Sequence, residues 1–288
     1  MSAPADPLTP RQQREAEYYD RFAAMHAVTE LDFKPVLSDE HRPWSPHWQV
    51  CRLVREAMPL AGPTAARGRL LDFGCGMGRQ AVLFAKLGYE VHGFDISEGN
   101  LAVARRLAEH YGLADHCHFR TMPAERLDFP DNHFDVVVGV DILHHVEVAT
   151  AMREVTRVLR PDGVAIFKEP LRVPALEPLR ESKLLMKLAP RDKSFEKGVH
   201  ITDDERKLDR RDVRHIREAF GDVAVYRYSI TQRLYRLIPA RFSGLIGKLQ
   251  HLDYHLMRFC PPLKHLGDVA VFPCRKPVKV SKPMRRAA

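Results

Sequence analysis

The sequence lacks the features that would place it among disulfide-stapled, zinc-ribbon or membrane-spanning proteins. Its five cysteines, Cys51, Cys75, Cys117, Cys260 and Cys274, are odd in number, and no two stand at CxxC spacing. That argues against a disulfide framework or a zinc-ribbon site and points to a reducing, cytoplasmic compartment. No CxxxCxxC run is present, which disfavours cluster-based radical chemistry. No apolar stretch reaches the ~20 residues that a bilayer demands. The first twenty residues, MSAPADPLTPRQQREAEYYD, have no apolar h-region, so they are not expected to act as a secretory leader. There is no internal repeat.

What is present is ordinary for a globular protein. The 288 residues can bury a full core, and they are 45% hydrophobic and 28% charged. The formal net charge is +8, and six cations in the terminal stretch RKPVKVSKPMRRAA account for most of it: Arg275, Lys276, Lys279, Lys282, Arg285 and Arg286. A basic, proline-containing end is expected to be a solvated tail, residues 275–288, so a nucleic-acid partner is disfavoured. Contact with an anionic membrane surface through this tail stays open. The oligomeric state is not legible.

The chain divides by pattern. Residues 1–63 read as a flexible start and a helical cap, with helices over about 11–27 and 47–58. From Arg69, short apolar runs alternate with helical segments. Strands are expected at 70–73, 90–94, 117–120, 134–140 and 164–167. Helices fall between them at 78–87, 100–111 and 149–159. Alternation of this kind predicts an α/β, Rossmann-like, doubly wound and mostly parallel sheet of seven strands, with helices on both faces and a helical cap. Residues 171–274 complete the sheet with a helix at 210–220, a strand at 223–230 and a last strand at 269–272. Two insertions, 171–207 and 234–265, interrupt them. In the second, Ile238, Phe242, Leu245, Leu249, Leu252, Leu256 and Phe259 recur at helical spacing. This seam is expected to pack on the sheet domain as a cap, with a membrane-surface or dimer helix as the alternative.

The chemistry sits at the first strand's end. In DFGCGMGRQ the glycines Gly74, Gly76 and Gly78 alternate. They allow a sharp turn, close approach to a ligand and a following helix N-terminus. The GxGxG spacing departs from the GxGxxG of dinucleotide enzymes, which disfavours a nicotinamide dehydrogenase. Asp72, two residues before the first glycine, disfavours a pyrophosphate and favours a ligand carrying an ammonium group. Asp95, closing the second strand, is placed to accept from a ribose diol.

These stretches resemble the class I S-adenosylmethionine-dependent methyltransferases. LLDFGCGMG is similar to the family's first motif and VHGFDIS to its ribose-binding strand end. FDVVVGVDILHHV is similar to its fourth strand and following loop, and VLRPDGVAIFKEP to the approach to its fifth. The resemblance covers about residues 64–170 and implies S-adenosyl-L-methionine as cofactor. It implies that Gly74, Cys75 and Gly76 line the methionine and ribose portion, and that Asp72 orients the loop and the amino group. Asp95 would hold the ribose, Ile96 would lie against adenine, and Val140 would sit near the sulfonium. EAEYYDRFA resembles the tyrosine-bearing helix that often precedes this core, with Tyr18 or Tyr19 closing over the cofactor. Pro123 occupies the slot where many relatives carry an adenine-binding acid, and it offers neither carboxylate nor N–H. Adenine recognition then falls to the Ala124 backbone or to Glu125.

The expected reaction is methyl transfer to an oxygen or nitrogen of a small, lipophilic acceptor. Methylation of RNA and non-catalytic cofactor binding are the alternatives. His145 is the first choice of base, oriented by a nearby carboxylate, with Asp141 and Glu169 beside it at the ends of the fourth and fifth strands. His26, His41 and Trp44 are expected on the cap. No metal is expected.

Overall fold

The computed structural model describes residues 8–26, 30–40, 42–58, 67–176, 206–230 and 244–279. Three helices come first: α1 (Pro10–Ala24), α2 (Lys34–Leu37) and α3 (Pro46–Ala57). Thr9 starts α1 with a reciprocal capping box to Gln12, and Pro10 takes the first helical position, where a missing N–H costs nothing. The helix ends at Ala24, three residues before the sequence-based boundary.

The central unit then runs β1 (Arg69–Phe73), α4 (Arg79–Lys86), β2 (Glu90–Asp95), α5 (Glu98–His110), β3 (Cys117–Thr121), β4 (Phe134–Val140), α6 (Val148–Val158) and β5 (Leu159–Pro170). After it come α7 (Arg210–Ala219), β6 (Phe220–Val223), β7 (Tyr226–Tyr228), α8 (Gly244–Phe259) and β8 (Val269–Pro277). The sheet order is β3-β2-β1-β4-β5-β8-β6, with β7 also on β8. Strands β1 to β5 are parallel, and β8 runs antiparallel to β5.

The eight strands fill seven lanes. β6 and β7 pair with the same edge of β8 in one continuous register, Val223 opposite Cys274 and Tyr226 opposite Val271. The break falls opposite Pro273. The Ala224 N–H donates to the Pro273 carbonyl at 3.2 Å, and Pro273 has no N–H to return. The expected single strand at 223–230 is therefore two short pieces beginning at Phe220.

Alternate residues of each parallel strand face opposite layers, which is why these strands read as near-continuous apolar runs. Leu71, Phe73, Val137, Ala165 and Phe167 point to the layer with Met152 and Val155 of α6 and Ile216 of α7. Leu70, Val136, Val138 and Ile166 point to the layer with Val50 and Val54 of α3, Phe84 of α4 and Leu107 of α5. The buried Arg67 guanidinium joins these helices, donating to the carbonyls of Leu87 at 2.8 Å, Arg55 at 2.8 Å and Met58 at 2.6 Å.

Two expectations about the ends change. Strand β8 runs to Pro277, so Arg275 and Lys276 belong to the sheet and not to a tail starting at 275. Lys279 reaches back to the carbonyls of Thr156, at 2.6 Å, and Leu159. The helical seam differs too. Leu245, Leu252, Leu256 and Phe259 are exposed, Phe259 at 80%, while Asp253 and Met257 on another face of α8 are buried. The stripe expected to cap the sheet domain thus points away from it. Ile238 and Phe242, like most of the insertion at 171–207, fall outside the described residues. No helix among the described residues is long and apolar enough to cross a membrane.

Candidate active site

All five parallel strands end at one edge of the sheet, and the order reverses between β1 and β4. Loops leaving those two strands diverge to opposite faces and open a crevice there. The glycine loop lies in it. A Cβ at Gly74 would stand 2.5 Å from Ile142 Cγ1, and one at Gly78 would stand 2.6 Å from Ala104 Cβ, so both glycines are demanded by packing. Gly78 also has φ +77° and caps α4. A Cβ at Gly76 would meet nothing within 4 Å, so the backbone there borders open space. The Cys75 N–H donates to the Phe94 carbonyl at 2.8 Å and the Gly76 N–H to Asp95 Oδ2 at 2.9 Å, which ties the loop to the end of β2. Burial pushes the Cys75 thiol well up, so it stays a packed, neutral side chain.

Two acids face this loop from below. Asp72 is 1% exposed, and its Oδ2 has no hydrogen-bond partner among the described residues. Desolvation pushes its carboxyl up to about 7, against a backbone hydrogen bond from Ala81 and aided by the nearby Asp95 charge. Asp95 is raised too, by burial first, although the N–H groups of Ser97 and Gly76 and the Asn100 amide favour its ionised form. Its Oδ1 accepts from Ser97 N at 2.9 Å and from Asn100 Nδ2 at 3.3 Å. Oδ2 accepts from Gly76 alone among the described residues and keeps a lone pair for a ligand hydroxyl.

Helix α1 lies across the strand ends and is fastened at three of them. After β2, Asp20 Oδ1 accepts from Ser97 Oγ at 2.6 Å and Gly99 N at 2.8 Å. A side chain at Gly99 would run into the Asp20 backbone at 2.9 Å. Beyond β3, Gln12 Nε2 donates to Glu125 Oε2 at 3.0 Å. After β4, Arg11 donates to the His145 carbonyl at 2.7 Å. The same helix contacts the His145 ring. Glu15 Oε1 lies 2.9 Å from Nδ1, and the Tyr19 hydroxyl lies 3.4 Å from Nε2. Glu15, Asp20, Gln12 and Arg11 were not among the sequence-based candidates. The signal for Arg11, Gln12 and Glu15 is a polar stripe that they form with Tyr19, at spacings of three and four on one helix face.

The expected trio of His145, Asp141 and Glu169 does not assemble as one group. The Asp141 carboxylate pairs with Lys168, and Asp141 takes φ +56°, a left-handed turn that aspartate tolerates. Glu169 is fully buried and holds His144, whose Nδ1 is 2.8 Å from Oε2. Its Oε1 accepts from the N–H groups of Ile142 and Leu143, at 2.9 and 2.7 Å. Glu169 therefore fixes the shape of the loop after β4, and the carboxylate that orients His145 is Glu15. Val140 ends β4, half-buried at the crevice, and Ile96 follows Asp95 half-buried on the other side. Ala124 is buried, and Glu125 is taken up by Gln12 and by the Glu147 N–H at 3.3 Å. Trp44 packs edge-on against His251 at 4.7 Å between ring centroids, and His26 lies over Phe22 at 4.1 Å. His41 falls outside the described residues.

This geometry can be set beside known proteins. A methyltransferase-domain family model matches residues 71–167. The chain is 33% identical to 27-O-demethylrifamycin SV methyltransferase of Amycolatopsis mediterranei over 201 residues, 67% of this chain and 70% of that protein. The chain belongs to the class I S-adenosylmethionine-dependent methyltransferase family. A ubiquinone biosynthesis O-methyltransferase of Ruegeria pomeroyi is 36% identical over 142 residues, 43% of this chain, and the match spans 56% of that protein's length. Among solved structures, the cyclase SpnF superposes with TM-score 0.56 at 21% identity, over 94% of this chain and 98% of that one. Geranyl diphosphate C-methyltransferase of Streptomyces coelicolor superposes with TM-score 0.53 at 17% identity, over 94% and 99%. At these identities the two structures speak for the fold alone.

The residues of this crevice fit the family's cofactor, S-adenosylmethionine. The unpartnered Asp72 oxygen suits an ammonium group, the spare lone pair of Asp95 suits a ribose hydroxyl, and the bare Gly76 backbone leaves room between them.

Proposed function

We propose that this methyltransferase moves a methyl group from S-adenosylmethionine to an oxygen, or alternatively a nitrogen, of a small and lipophilic acceptor. The observation that carries the reading is the Glu15–His145–Tyr19 arrangement at the end of β4, beside the glycine loop. The cofactor supplies a methyl group made electrophilic by its sulfonium. This chain's residues then have to position a nucleophile, exclude water and accept a proton.

His145 performs the last task, oriented by Glu15. A carboxylate 2.9 Å from Nδ1 favours the tautomer with its proton on Nδ1, which leaves the Nε2 lone pair as the base. Nε2 faces the Tyr19 hydroxyl at 3.4 Å, and an acceptor hydroxyl can replace that long contact with a shorter one. Asp72, Gly76 and Asp95 hold the donor. Helix α1, fastened at the ends of β2, β3 and β4, closes the crevice and excludes water. Support for a hydroxyl acceptor comes from the relatives named for O-methylation, the rifamycin and ubiquinone enzymes.

The test is incubation of the purified protein with methyl-labelled donor and an extract of small molecules, followed by mass identification of the labelled product. A labelled low-mass ether or amine is expected. His145→Ala is expected to lower turnover at least tenfold with donor affinity unchanged. Label confined to RNA, or full turnover in His145→Ala, would reject the proposal.

A further inference from the structure

A second cluster of ligating side chains lies at the opposite end of the sheet. Glu90 opens β2, and Asp95 closes it five residues later, so the two ends are about 17 Å apart at strand rise. Glu90 and His92 share one face of β2, being two residues apart. The parallel register puts His118 of β3 directly beside His92. Three donors therefore converge by strand geometry alone. Glu90 Oε1 lies 3.1 Å from His92 Nε2 and 4.0 Å from His118 Nε2, and all three ligand atoms fall within 4.8 Å of one another.

We propose that Glu90, His92 and His118 form a binding site for a divalent transition-metal ion of the zinc type, clipping the edge strand β3 to β2. Two imidazoles and one carboxylate are the donor set that zinc accepts. Tetrahedral zinc with ligand bonds of about 2.0–2.2 Å spaces neighbouring donors about 3.4 Å apart. The Glu90–His92 separation is already close to that, the exposed His118 ring needs to approach Glu90 by about half an ångström, and the two imidazole donors, within 4.8 Å of each other, close to the same spacing.

The site is partly preorganised. The His92 ring is buried, edge-on to Phe129 and Phe134 at 5.9 and 5.6 Å between centroids. Arg69 Nε lies 3.5 Å from Glu90 Oε2 and turns Oε1 toward the histidines, while its charge opposes the incoming cation. Three protein ligands on an open surface leave the remaining position to water. An ion there acts on the stability of the edge strand, far from the methyl-transfer crevice.

The experiment is calorimetric titration of the tag-free, chelator-treated protein with zinc chloride, alongside thermal unfolding with and without the ion. The described residues hold a competing two-histidine pair on α8, where His251 Nε2 and His255 Nε2 are 3.3 Å apart. The variants therefore include His118→Ala, Glu90→Gln and a His251→Ala, His255→Ala double variant. We expect one ion per chain, at least tenfold weaker binding in His118→Ala and in Glu90→Gln, and unchanged binding in the double variant. Zinc is expected to raise the unfolding temperature of the parent and not of His118→Ala. S-adenosylhomocysteine binding, retained in each variant, verifies folding. Absence of saturable binding, binding that survives His118→Ala, or binding lost in the double variant overturns the proposal.

Discussion

Asp72 offers the sharpest test of how the crevice receives its ligand. The carboxyl is wholly buried, one of its oxygens has no partner among the described residues, and burial raises it from 3.8 to about 7. In the ligand-free fold it therefore keeps its proton about three pH units longer than in the unfolded chain. Between about pH 4 and pH 7 the folded state binds more protons than the unfolded state, so stability falls as pH rises, by up to about 4 kcal/mol, and levels off above pH 7. A ligand ammonium beside Oδ2 reverses the preference and draws the proton off. Affinity for S-adenosylhomocysteine should then rise with pH and flatten near pH 7. With a midpoint of about 7, affinity at pH 5.5 should be about 30-fold below the plateau, or about 2 kcal/mol. Calorimetry in buffers of different ionisation enthalpy should register close to one proton released per ligand at pH 6. Asp72→Asn should bind more weakly at pH 8, lose most of the pH dependence and unfold at a higher temperature than the parent at that pH. A flat affinity between pH 5.5 and 7.5 would refute the reasoning. So would an undiminished slope in Asp72→Asn, which would assign the proton to Asp95 instead.

Asp95→Ala should weaken S-adenosylhomocysteine binding by about 1–3 kcal/mol, because the mutation leaves the Gly76 and Ser97 N–H groups without their acceptor and removes the acceptor for the ribose; calorimetry reads it directly. Gly78→Ala should cost about 2 kcal/mol or more of stability by denaturant unfolding, since the new methyl group meets Ala104 at 2.6 Å on a backbone with φ +77°. Glu169→Ala should destabilise by about 2–4 kcal/mol, because it leaves the N–H groups of Ile142 and Leu143 without their buried acceptor and removes the carboxylate beside the His144 ring. If Glu169→Ala unfolds like the parent but loses turnover, Glu169 belongs to the chemistry and not to the loop.

The central unit was legible because its signals are local. Strand β4 is apolar throughout because both faces are covered, and the glycine spacing and the acids Asp72 and Asp95 belong to consecutive strand ends. Sequence pattern alone thus determined the parallel α/β architecture, the glycine cradle and the two acids beneath it. Where pattern misled, a distant partner was the cause. Pro273 split one edge strand into β6 and β7 from the neighbouring strand, and the apolar stripe of α8 was assigned to the wrong face because helical spacing reports periodicity and not direction.

The tertiary structure alone decided which carboxylate serves which histidine. Asp141 is nearer to His145 in the chain, yet it is taken by Lys168, while Glu15 arrives from a helix 130 residues earlier to meet the imidazole. The neighbouring His144 and His145 sit in one tight turn with their rings 4.1 Å apart, yet each meets a different carboxylate, His144 that of Glu169 and His145 that of Glu15. The convergence of Glu90, His92 and His118 has the same origin. Alternation within one strand is written in the sequence, but the register that sets His118 beside His92 exists only once the sheet has formed.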